Sequence, residues 1–166
     1  MRVVRWLDTG LNSLNFLLHQ ISNLILMLIM FLTTFDVIGR ALFNHSITGA
    51  YELTELGSAI VIFFTLAVTH KYKEHVAVGF LVDKLSAKKK AMIEGLVDLF
   101  IFVLILIMSF QLINEAMRLM ERGTTTTDLG LPIYTFILIV SIGSFIFAFV
   151  ALANGIKSMI EAVKKS

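Results

Sequence analysis

The groups in this sequence that could do chemistry are carboxylates and histidines at the edges of long apolar runs. Glu52 and Glu55 open one such run at i, i+3 spacing, which sets both on one face of a helix. Glu94 and Asp98 open another at i, i+4. Ionisable groups in a membrane segment mark substrate paths, proton relays or protein contacts, because lipid disfavours them. A cheaper use is at a helix N-terminus, where the macrodipole favours negative charge by about 0.3–1 kcal/mol. For Glu52 the two uses stay open: a capping acid at headgroup level, or a salt bridge to Arg40 or to a partner subunit. Glu55 lies one turn deeper, which points to a protein contact. Asp98 is expected to pair with one of the lysines at 88–90 rather than to relay protons.

The histidines raise haem or quinone binding. His19 and His70 could lie at similar depth, and a bis-His haem needs two imidazoles facing each other inside the bundle. His70 stands in "THKYKEHV", however, a basic cluster that reads as wet, so an interface histidine is the better reading. There is no cysteine, which excludes disulfides, thiolate metal sites and cysteine nucleophiles. No nucleotide-binding loop, metal-ligand cluster or catalytic triad is present in the sequence. No cofactor and no enzymatic activity are expected.

The elements that carry these groups follow from composition. Of the 166 residues, 57% are hydrophobic and 16% charged, where a soluble domain is nearer a quarter charged. A chain this short cannot hide that excess in a core, so the solvent is a bilayer. A spanning helix needs about 20 mostly apolar residues. Residues 9–35 carry no formal charge with His19 neutral; they hold a helix at about 13–35. The basic start "MRVVRWLDTGLN" resembles the n-region of a signal peptide, but the apolar run is too long for one and ends in no cleavage site. The 14 charge-free residues 56–69 must reach back over Glu55 and Glu52, giving 49–70. The 16 residues 99–114 must reach back past Asp98, giving 92–115. The 28 residues 129–156 suffice alone, giving 130–155, with Pro132 in the first turn and Thr127 or Asp128 as a candidate cap. The fold class is therefore an all-α integral membrane protein of four transmembrane helices, one domain over residues 1–166.

Lysine and arginine set the orientation. Eleven lie at the two termini and in the middle loop; three, Arg40, Arg118 and Arg122, lie in the other two loops. Both termini and the middle loop are expected in the cytoplasm. In that loop "HVAVGFLVDKLSAKKKA" pairs apolar residues with lysines, and residues 76–86 are expected to lie in the headgroup layer. Trp6 beside Arg5 is a weaker second case. The centres of all four runs hold no proline and no acid, unlike the broken helices of secondary transporters. The chain thus reads as something that holds still beside another membrane protein. A small exporter acting as a homo-oligomer would want a mid-helix acid, which is missing.

The outer hairpin carries a resemblance. Asp36, Val37, Arg40, Phe43, Asn44, Ile47, Gly49, Glu52 and Leu53 follow the order "D-V-x-x-R-x-x-F-N-x-x-I-x-G-x-x-E-L", and "HKYKEHVAV" comes one helix later. This resembles the small membrane subunit of tripartite ATP-independent periplasmic (TRAP) transporters, DctQ-type, a family of four-helix proteins with cytoplasmic termini. Three positions depart from its pattern: Ala41 where tyrosine is common, Ser46 where proline is common, and Gly79 where an acid often follows "H-V-x-V", so that Asp83 is the next acid.

The resemblance implies partners: a large membrane subunit, one to one, that moves substrate by a sodium-driven elevator motion, and a periplasmic substrate-binding protein. The substrate would be an organic acid anion and the location the bacterial inner membrane. Arg40, Asn44, His45, Glu52 and Glu55, with Arg118, Glu121 and Arg122 of the second outer loop, would form or flank the docking surface. Arg40 would pair with Asp36 or Glu52. Asp36, Asp98, His75 and Asp83 would be structural polar residues. The competing reading is a membrane anchor subunit of a respiratory enzyme, with His19 and His70 near haem or quinone.

Overall fold

A computed structural model describes residues 2–71 and 87–164, side chains from 14 onward, with a few terminal ones excepted. The segment expected in the headgroup layer at 76–86, together with His75 and Asp83, lies outside the described residues. Four helices account for nearly all the rest: α1 (Arg2–Phe43), α2 (Ala50–Lys71), α3 (Ala87–Glu121) and α4 (Ile133–Lys164). Each contains a stretch long and apolar enough to cross a membrane, with mean hydropathy from 1.6 in α2 to 2.7 in α3 and α4.

The helices run past the apolar stretches. α1 has 42 residues, about 60 Å at 1.5 Å per residue, against a hydrocarbon core of about 30 Å. At its start α3 takes in the lysines at 88–90, which lose little rotamer freedom in a helix and can extend past the lipid. α4 starts later than its apolar run. Residues 122–132 close on themselves instead, through a Thr125–Pro132 bridge and a Thr126 N–H to Leu131 C=O bond of 2.9 Å. Pro132 immediately precedes α4, and neither Thr127 nor Asp128 caps it.

The helices neighbour one another in the order α1–α2–α4–α3. α3 approaches α4 along its length and, among the described residues, no other helix at backbone level. α4 is the centre: 44% of its most apolar 18-residue stretch is buried, against 28% for α2 and 11% for α1 and for α3. Small residues permit the close approaches, as expected where lipid supplies no hydrophobic drive between helices. A Cβ on Gly155 of α4 would stand 3.3 Å from the Asp98 side chain, and one on Gly95 of α3 would stand 3.3 Å from the Gly155 carbonyl. Nearer the other end of the same seam the Ser109 and Ser144 hydroxyls meet at 2.7 Å. The α2–α4 seam seats Phe64 over Gly143, and the α1–α2 seam seats Ile25 and Ile29 over Gly57. Leu18 of α1 joins Ile60, Phe64, Ala67 and Val68 of α2 and Val140 and Phe147 of α4 in the buried core.

Candidate functional site

Two polar constructions stand out, one at each end of the molecule. At the first, α1 turns into α2 over residues 44–49. Asn44 takes the left-handed conformation (φ 51°) that ends α1. The next N–H, that of His45, donates to the Gly39 carbonyl at 3.2 Å. Asp36, buried about two turns before the end of α1, fixes the turn from inside. Its Oδ1 accepts the Ile47 N–H at 2.8 Å, and its Oδ2 lies 2.5 Å from the Arg40 guanidinium. Of its two expected partners Arg40 thus takes Asp36, at the helix end where the macrodipole favours a cation. The turn is thus held by a buried carboxylate that accepts a backbone amide.

Glu52 does the corresponding work for the other loop. Its Oε1 accepts the Asp128 N–H at 2.7 Å and its Oε2 the Leu129 N–H at 3.0 Å. The Thr127 N–H and the Thr126 hydroxyl also bond to it. An ionised carboxylate accepts only and offers about four sites, so a run of amides suits it. Glu52 stands in the first turn of α2, as the capping expectation has it, but its oxygens take the amides of the other loop, and among the described residues it meets no arginine. Gly49 completes the junction. It adopts φ 76°, and a Cβ there would lie 2.3 Å from the Leu129 side chain. Leu129 therefore seats on the bare backbone of the hairpin, and the two loops form one unit.

The charged residues expected at the docking surface surround that unit unevenly. Arg40, Asn44, His45, Glu55, Arg118, Glu121 and Arg122 are exposed, and Arg118 lies 3.6 Å from Glu115. Glu52 is turned inward and buried, so it shapes the rim through the loop it holds. Glu55, one turn on, does not share its environment.

At the opposite end, α2, α3 and α4 meet around His70. This residue is 1% exposed, so the wet interface histidine read from its sequence neighbours is corrected. His70 Nε2 stands 3.3 Å from Asp98 Oδ1, a pair that is ionic when the imidazole is protonated. The ring meets Phe147 edge-on at 5.2 Å between centroids. Asn154 Nδ2 donates to the His70 carbonyl at 3.1 Å, satisfying a backbone group at the C-terminal end of α2. Asp98 was expected to meet a lysine of 88–90; the structure sets it against His70. Sequence reasoning passed over Asn154, whose signal was an amide near the end of an otherwise apolar run. His19 is on the exposed face of α1, 3.3 Å from Asn23 Nδ2, and does not face His70. Two imidazoles sharing an axial ligand site are therefore not formed. No cluster of three metal-ligating side chains occurs among the described residues.

Comparison with known proteins gives one match. The family described as "Tripartite ATP-independent periplasmic transporters, DctQ component" matches residues 29–160, which include both loops, Glu52, His70, Asp98 and Asn154. No curated protein and no solved structure matches the chain. With the match covering most of its length, and with four helices fit to span a bilayer, the chain is a multi-pass membrane protein belonging to the DctQ family, the small membrane component of TRAP transporters.

Proposed function

We propose that this subunit is a static brace. It holds the large, sodium-driven elevator subunit of its transporter, one to one, and helps dock the periplasmic substrate-binding protein, so that an organic acid anion is taken up across the inner membrane. The observation that carries this reading is the junction at Glu52. One buried carboxylate ties two loops 76 residues apart into a single block ringed by exposed charges. Such a block suits a docking platform, which must keep its register while partners come and go. The charged rim tunes encounter and orientation more than affinity. The uneven placement of lysine and arginine supports an orientation with this block outside and both termini and the connection between α2 and α3 in the cytoplasm. The helix row supports the bracing half of the proposal, since α1 and α3 expose most of their spans for lipid or a larger membrane protein. The respiratory-anchor reading loses its basis, because His19 and His70 do not converge.

Reconstitution tests it. Proteoliposomes with the large subunit, a sodium gradient and the binding protein should take up the organic acid only when this chain is present. Combined loss of Glu55 and Arg122 should reduce the rate a few-fold without changing assembly. Equal uptake with and without the chain would end the proposal.

A further inference from the structure

We propose that the cleft between the end of α1 and the start of α2 binds the headgroup of a phosphoethanolamine lipid. The cleft has a volume of about 590 Å³, and its polar lining includes Asp36, Arg40, Ser46, Thr48, Tyr51 and Asp128. Four observations select this ligand.

The position comes first. Val37 and Tyr51, also in the lining, are 57% and 78% exposed, at the level where the apolar span of α2 begins. Acyl chains can lie against these side chains while a headgroup enters the cleft, and tyrosine favours that depth.

The second is a phosphate-binding group. Arg40 uses one edge of its guanidinium on Asp36 and leaves its side chain 60% exposed. A guanidinium carries five donors, so N–H groups remain for a phosphate oxygen. The Ser46 and Thr48 hydroxyls can donate as well.

The third is a cation-binding group. The Asp128 backbone N–H goes to Glu52, and the residue lines the cleft and is exposed, so its carboxylate can take a cation there.

The fourth is charge. Arg40 is offset by Asp36, so Asp128 leaves the lining with a net charge of −1. A purely anionic headgroup such as phosphoglycerol would meet that charge uncompensated. A zwitterion with phosphate on Arg40 and ammonium on Asp128 sets each charge against its opposite and adds no net charge, whereas phosphoglycerol would take the lining from −1 to −2. A primary ammonium donates three hydrogen bonds to carboxylate and hydroxyl oxygens, whereas the quaternary ammonium of phosphocholine donates none. The lining thus distinguishes among the three headgroups.

Native mass spectrometry of the full chain, released from nanodiscs of equimolar phosphatidylethanolamine, phosphatidylglycerol and phosphatidylcholine, tests the site. Phosphatidylethanolamine should be retained about fivefold over either competitor, the ratio expected for one interfacial charge-assisted contact. Asp128→Asn should bring phosphatidylethanolamine and phosphatidylcholine to within about twofold of each other. Arg40→Gln should lower retention of all three. If Arg40→Gln does not fold, Asp128→Asn alone decides, since its side chain is exposed and the Glu52 bond uses its backbone. Soluble glycerophosphoethanolamine should not displace the lipid; displacement would mean that the site takes the free headgroup and not a membrane lipid. Equal retention of the three lipids, or an unchanged preference in Asp128→Asn, would overturn the proposal.

Discussion

At the scale of single residues, the molecule uses buried carboxylates as backbone acceptors. Asp36 holds the Ile47 amide and Glu52 the amides of Asp128 and Leu129. Removing such an acceptor leaves part-buried donors unpaired, which costs more than the bond contributes in net terms. Glu52→Ala should therefore free the second loop. Hydrogen exchange should rise at Asp128 and Leu129 while the centres of the helices stay protected, and Glu52→Gln, which keeps one acceptor oxygen, should show a smaller rise. Unchanged exchange in Glu52→Ala would mean the loop stands by itself. The acid at position 52 was legible in the sequence as one that had to be accommodated. Its partners were not, because backbone amides carry no residue identity and these come from another loop. His70 fails to read for the opposite reason: its neighbours in sequence are charged, while its neighbours in space are Phe147 and Asp98.

At the scale of elements, α4 organises the rest because its small residues admit neighbours on two sides. Gly155 sits against Asp98 and Leu99 of α3, and Gly143 sits under Phe64 of α2. Gly155→Val would drive carbon into the α3 seam beside the His70–Asp98 contact. Overpacking costs typically about 1–3 kcal/mol, so the apparent melting temperature in mild detergent should fall by several degrees. The same change at Gly123, where no atom lies within 4 Å of an added Cβ, acts only through its positive φ and should cost less. Equal losses at the two sites would contradict the seam. The existence and order of the four helices were legible from charge-free runs, since lipid tolerates little else over that length. Their ends were not. Lysine-rich residues at 88–90 continue α3 in helix, while the threonine-rich loop delays α4 to Ile133 by closing its own hydrogen bonds. Which helix pairs with which was hidden as well, because helices apolar on every side carry no amphipathic signal.

At the scale of the whole molecule, an open row of helices leaves much apolar surface. Among the described residues its buried titratable groups lie at the two ends, Asp36 and Glu52 in the double-loop block and His70 and Asp98 in the other cluster, with small hydroxyls such as the Ser109–Ser144 pair between them. This layout fits the proposed brace, a part that keeps its shape. The central claim is that the shape is kept for a partner. Co-purification tests it most directly: the tagged chain is expressed beside its genomic neighbours in a bacterial membrane, solubilised gently, and weighed with whatever elutes in stoichiometric amount. The account predicts one large, many-helix membrane protein, one to one. A chain that elutes only with copies of itself would contradict it.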